Sequence, residues 1–252
     1  MERFELRVAA HTFGVTHRFA AVADCCRNYR VSETEPVDAE ILLTEETVAF
    51  EKRRSREIAA QEGRTPADYG EELYELSAAN RLVAQELLRY DTLLMHGSAV
   101  AIDGQAYIFT AKSGTGKSTH VSFWKELWAD RVVIINDDKP FLGITGEQVL
   151  VYGSPWCGKE GRNTNCCVPL AAICFLQRGE QNRMQELSFA EALPVLLSQI
   201  YRPQDEGLLA KTIKLLEQLS GKTRFTRLEC LPEPEAARLA YRFLTGAGEE
   251  AE

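Results

Sequence analysis

Residues 111–118 read Ala-Lys-Ser-Gly-Thr-Gly-Lys-Ser, residue types at a spacing suited to holding phosphate. Gly114 and Gly116 allow tight turning, so that successive backbone N–H groups point inward at phosphate oxygens. Lys117 is placed to reach the β- and γ-phosphates, and Ser118 to offer a hydroxyl to Mg2+. A helix opening here adds the positive end of its dipole. The expected nucleotide-binding set is therefore Ser113, Gly114, Thr115, Gly116, Lys117, Ser118 and Thr119. The flanks suit such a loop: a short apolar run at 106–110 precedes it. Val121, Phe123, Trp124, Leu127 and Trp128 follow at helical spacing.

Asp137 and Asp138 end the next apolar run, 132–135, only twenty residues beyond Lys117. One helix therefore joins the two strands directly. Phosphoryl transfer needs a metal held against the phosphates and a group that orients or deprotonates the acceptor. Two adjacent carboxylates at a strand end can divide those tasks, one on Mg2+ and one toward an acceptor hydroxyl. His96 lies upstream, between a strand and a turn, and the strand after it delivers the loop. A phosphate or metal role and a structural role are both open to it. Asp137, Asp138, His96 and Lys117 are the catalytic candidates, and Ser118, Asp137 and Asp138 the metal candidates.

Met95-His96-Gly97-Ser98-Ala99, Ser113 to Ser118 and Asn136-Asp137-Asp138, in that order, resemble the HPr kinase/phosphorylase family and its relative phosphoenolpyruvate carboxykinase. The resemblance implies an α/β fold of the HPr kinase-like phosphate-loop type, with a mixed sheet. It also implies ATP and Mg2+ on Lys117 and Ser118, with Ser113 and His96 near the transferred phosphate. Asp137 and Asp138 would share metal binding and acceptor activation, in an order left open. The acidic-Ile-Arg-Gly stretch of bacterial HPr kinases is absent, and residues 154–165 stand in its place. Within 156–165 lie the acceptor-side candidates. Lys159 or Arg162 would neutralise charge on the γ-phosphoryl group, Glu160 would meet a metal or a basic acceptor, and Asn165 closes the segment. A protein or peptide serine is the expected acceptor. The competing readings are a small-molecule kinase or carboxykinase-like enzyme, and a nucleotide-sensing module without transfer.

The elements that must position these residues follow from periodicity. Residues 1–90 read as a small α+β portion, with strands at 4–8 and 39–43. A helix capped by Thr44 runs to about Ala60, and a second spans 66–90 with Leu73, Leu76, Val83 and Leu87 inward. Residues 91–246 read as the catalytic domain. Its strands are 93–95, 99–102, 106–110, the central 132–135, 171–176 and an edge strand at 224–230. A hairpin spans 141–152. Helices follow a Ser188 capping box and fill 205–219 and 234–244. Residues 247–252 read as a disordered tail. The chain is 252 residues, 45% apolar and 26% charged, with a formal net charge of −8. That balance argues against nucleic acid as a partner. The longest apolar run, 168–176, is too short to cross a bilayer, so a cytoplasmic protein is expected, with self-association left open. The seven cysteines form no Cys-x-x-Cys pair and read as reduced structural thiols rather than zinc ligands.

Overall fold

A computed structural model describes residues 1–32, 36–61, 63, 65–112 and 114–247. The chain is mixed α/β and divides into two compact units, Met1–Arg89 and Tyr90–Glu252.

The first unit runs β1 (Glu2–Val8), β2 (His11–His17), α1 (Ala20–Cys25), β3 (Arg30–Val31), β4 (Ala39–Leu42), α2 (Glu45–Gln61) and α3 (Glu71–Arg89). Its four strands pair in the order β3-β1-β2-β4. β1 and β2 form a hairpin with Val8 opposite His11. Alternation along both strands buries Phe4, Leu6, Val8, Phe13 and Val15. The turn is made by Ala9 and Ala10 at φ 51° and 67°, a left-handed pair usually supplied by Asn or Gly. That chemistry hid β2 in the sequence. Thr44 does cap α2, its Oγ1 accepting from Thr47 N at 3.3 Å.

The helix expected from residue 66 begins only at Glu71. Leu73 is exposed, and the inward stripe is Tyr74, Ala78, Val83 and Leu87. Proline and glycine bracket 66–70, so the apparent cap at Thr65-Pro66 does not start a helix. Glu75, fully buried on α3, accepts from Arg18 N at 3.0 Å and Phe19 N at 2.9 Å. These bonds hold the chain as it enters α1.

The second unit contains β5 (Thr92–Leu94), β6 (Ser98–Ile102), β7 (Gln105–Thr110), α4 (Lys117–Trp128), β8 (Val133–Asn136), β9 (Phe141–Ile144), β10 (Val149–Tyr152) and β11 (Cys167–Arg178). β12 (Arg183–Leu187), α5 (Phe189–Gln199), α6 (Glu206–Ser220), β13 (Arg224–Cys230) and α7 (Pro234–Thr245) complete it. Its strands form one mixed nine-stranded sheet, with the path β5-β9-β10-β11-β7-β6-β8 and β13 joining β11 to β12. β7, β11 and β13 run parallel. β6 runs against both β7 and β8. Trp124 and Trp128 of α4 and Tyr241 of α7 pack with Val100, Phe109, Cys174 and Leu228 in the core of this unit.

Two placements differ from the sequence reading. The apolar run at 132–135 is not central: β8 ends the sheet path, and Val133 is 41% exposed. Its free edge is covered by the following loop, where Thr164 N donates to Ile135 O at 3.0 Å and Asn136 bridges to Asn163. Conversely, β13 is not an edge, because β12 pairs along its far side. β12 is polar and follows a turn, so nothing in its pattern distinguished it from loop. β11 is also longer than the apolar stretch 171–176. Among the described residues no helix is long and apolar enough to cross a membrane.

Candidate functional site

The sheet topology brings the three sequence motifs together. β7 and β8 run the same way with β6 inserted between them, antiparallel to both. The start of β6 therefore lies between the ends of its two neighbours: Ser98 faces Phe109, and Ala99 faces Asn136. His96 and Gly97 precede β6, the loop at 111–118 follows β7, and Asp137-Asp138 follow β8. Ties across this end are specific. Thr110 Oγ1 donates to His96 O at 2.8 Å, Gly97 N to Asp138 O at 2.9 Å, and Ser98 Oγ to Asp137 O at 2.8 Å. Gly97 is closely packed: an added Cβ would lie 2.9 Å from Ile108 Cγ2 and 3.2 Å from Phe109 O, so a neighbour would have to shift.

In the loop, Gly114 and Gly116 sit at φ 78° and 117° with open space around them. Backbone conformation, not crowding, demands glycine at both. Thr115 donates from N and Oγ1 to Lys112 O, at 3.2 and 2.8 Å. Lys117 Nζ donates to Ala111 O at 3.1 Å. Burial pushes the Lys117 ammonium below its ordinary pKa, and the charge of Asp138 counteracts the shift. Ser118 and Thr119 are exposed on the first turn of α4. Ser113 lies outside the described residues.

Asn136 sets the aspartate pair. Its Nδ2 donates to Ser154 O, Ser154 Oγ and Trp156 O at 3.0–3.1 Å. Its Oδ1 accepts from the amides of Asp138 at 2.8 Å and Lys139 at 2.6 Å. The two carboxylates then meet different surroundings. The Asp137 side chain is only 4% exposed. Its Oδ1 accepts from Gly158 N at 2.5 Å, and its Oδ2 lies 3.9 Å from Arg162 Nε. Asp138 is 23% exposed and pairs with His96 Nε2 at 3.1 Å and Lys139 Nζ at 2.7 Å. Burial opposes its charge, but the His96 hydrogen bond and the Lys139 ammonium win and hold the carboxyl well below the usual range.

The loop at 156–165 contributes unevenly. Gly158 and Arg162 reach Asp137, and Arg162 also donates to Ser122 Oγ on α4 at 3.3 Å. Glu160 pairs with Arg162. Lys159 and Asn165 are exposed. The sequence reading missed Ser98, Thr110, Lys139, Ser154 and Gly158. Of these, Ser98 lies in the motif stretch 95–99, Gly158 in the segment 156–165, and Lys139 beside Asp138, but the sequence reading gives none of them a role.

The family model described as SynChlorMet cassette protein ScmC matches residues 64–202, more than half of the 252. The chain belongs to the ScmC family. The part matched to ScmC includes the loop at 111–118, the aspartate pair and the loop at 156–165. A search of curated proteins finds no match. Among solved structures, the Hpr(Ser) kinase/phosphatase from Coxiella burnetii is similar over 61% of this chain and 99% of that one. Its identity is 10% and its TM-score 0.34, a likeness too slight to carry an argument about this ScmC protein.

Proposed function

We propose that this ScmC protein is an ATP- and Mg2+-dependent kinase of HPr kinase-like type, which moves the γ-phosphoryl group to a hydroxyl, with a protein or peptide serine as acceptor. The observation that carries the reading is the convergence of His96, the phosphate loop and Asp137-Asp138 at one end of β6, β7 and β8.

The donor set fits the proposed cofactors. Hydroxyl and carboxylate oxygens on Ser118, Asp137 and Asp138 suit a hard cation. Among the described residues no three His, Cys, Asp or Glu cluster as a closed metal cage. Magnesium characteristically takes one or two protein oxygens and completes its shell with phosphate and water. When bound, it supplies charge neutralisation on the phosphate oxygens. Lys117, with its ammonium beside the loop, binds β- and γ-phosphate oxygens. Asp137 would hold the metal through its carboxylate.

Asp138 faces the acceptor. A carboxyl held ionised by His96 and Lys139 is a weak base but a firm hydrogen-bond acceptor, which orients a serine Oγ–H and takes its proton late in transfer. A loose phosphoryl-transfer transition state asks for positioning more than for early deprotonation. His96 in turn fixes the Asp138 carboxylate. Arg162 positions Asp137 and the loop at 156–165, where the acceptor docks.

Asp138→Asn tests the assignment. The expected result is a loss of phosphopeptide formation of at least about a hundredfold, read by mass spectrometry with Mg–ATP and candidate peptides, while ATP affinity stays within a few-fold. Unchanged function of the variant would turn the reading toward a nucleotide sensor. A phosphorylated small molecule as product would turn it toward a small-molecule kinase.

A further inference from the structure

The end of β11 carries a residue that the proposed chemistry has not used. β11 lies parallel to β7 with Phe175 opposite Thr110, the last residue of β7 before the phosphate loop. β11 continues to Arg178, about 10 Å further at the strand rise of ~3.3 Å per residue. It therefore stands alongside the loop, braced on its other side by β13, where Arg178 faces Cys230. From this position Arg178 Nη2 donates to Gly114 O at 2.6 Å. Gly114 is one of the two loop glycines in left-handed backbone. Its carbonyl thus carries a charge-assisted bond from a separate strand, a bond type stronger than a neutral one. Among the described residues, the other bonds to loop carbonyls come from the adjoining chain: Thr115 and Lys117 donate to Lys112 O and Ala111 O, and His120 N to Gly116 O.

We propose that Arg178 is a positioning residue for the phosphate loop: by holding the Gly114 carbonyl outward from the neighbouring strand, it pre-sets the backbone that receives the nucleotide phosphates. The inference rests on the reading of 111–118 as a nucleotide loop. Its cause is entropic and local. A loop rich in glycine loses much conformational freedom when it closes on phosphate, and an anchor made beforehand removes part of that loss. As an anchor of the loop backbone, the guanidinium serves the cradle shared by di- and triphosphates.

The test is calorimetric binding of Mg–ATP and Mg–ADP to the full chain and to Arg178→Ala and Arg178→Lys. Folding of each variant is verified by tryptophan emission at the binding temperature. Arg178→Ala is expected to weaken both nucleotides by about tenfold, the scale of one lost hydrogen bond to a charged group. Arg178→Lys, which retains a cationic donor, should recover most of that loss. Affinities within twofold of the parent for Arg178→Ala overturn the proposal. So does a loss confined to ATP, which would make Arg178 a γ-phosphate ligand, or an Arg178→Lys as weak as Arg178→Ala. If the parent chain binds neither nucleotide, the kinase reading fails first and the inference with it.

Discussion

His120 and Asp138 stand at opposite ends of the site's polarity. His120 is buried on α4, accepts from Trp124 Nε1 at Nε2 over 3.1 Å, and packs on Phe109. Burial drives its pKa down to about 3. The unfolded chain takes up this proton near its ordinary 6.5, so the unfolded state binds more protons between about 6.5 and 3. The stability contributed by neutral His120 is fully present above that window and is lost as pH falls through it. Urea titrations at stepped pH should show unfolding free energy falling on acidification, by at most about 1.4 kcal/mol per pH unit for this one proton. His120→Gln, which keeps an acceptor for Trp124, should flatten that slope. Asp138 has the same sign in a lower window: its depressed pKa contributes stability that is full above its ordinary 3.8 and is lost progressively as pH falls from there through the lower folded-state pKa.

The elements hold the site through close backbone approach. Where His96-Gly97 crosses the end of β7, no Cβ can be accommodated without moving Phe109 O or Ile108. Gly97→Ala should cost about 1–3 kcal/mol of stability, as overpacking does in tight sites. It should also lower transfer more than a surface change of equal cost, because His96 moves with Gly97. Thermal unfolding beside a transfer assay on the same protein checks both outcomes. β8 shows how an edge strand can serve a site. The loop at 156–165 returns to cover its free edge through Thr164 and Asn163, and the same return delivers Gly158 and Arg162 to Asp137. A central strand would have left no such edge for that loop.

In the whole molecule, the three tryptophans, Trp124, Trp128 and Trp156, all lie in the unit Tyr90–Glu252. Tryptophan emission therefore reports that unit alone. A ligand that binds only the folded form stabilises it by about 2.7 kcal/mol at a hundred times its Kd. Mg–ATP should raise the unfolding midpoint seen by tryptophan emission. Hydrogen exchange should show protection at 106–121 and 136–138 with none gained by the sheet of β1 to β4. Protection appearing first in Met1–Arg89 would place the nucleotide elsewhere.

Sequence alone sufficed for most helices and strands around the loop at 111–118, because caps and apolar periodicity are local patterns of residue type. Thr44 and Ser188 cap where their spacing indicates. The Asp103-Gly104 turn between β6 and β7 is left-handed at both residues, as that pair favours. Local pattern failed where the deciding contact is distant. The Ala9-Ala10 turn carries no turn chemistry, β12 no apolar stripe, and neither β8 nor β13 any mark of edge or interior. Folding alone inserted β6 between β7 and β8, and that one antiparallel strand sets His96 against Asp138 across 42 residues of chain. It also stood Arg178 beside Gly114, 64 residues away, a contact no spacing rule contains because strand order, not sequence distance, makes the two neighbours.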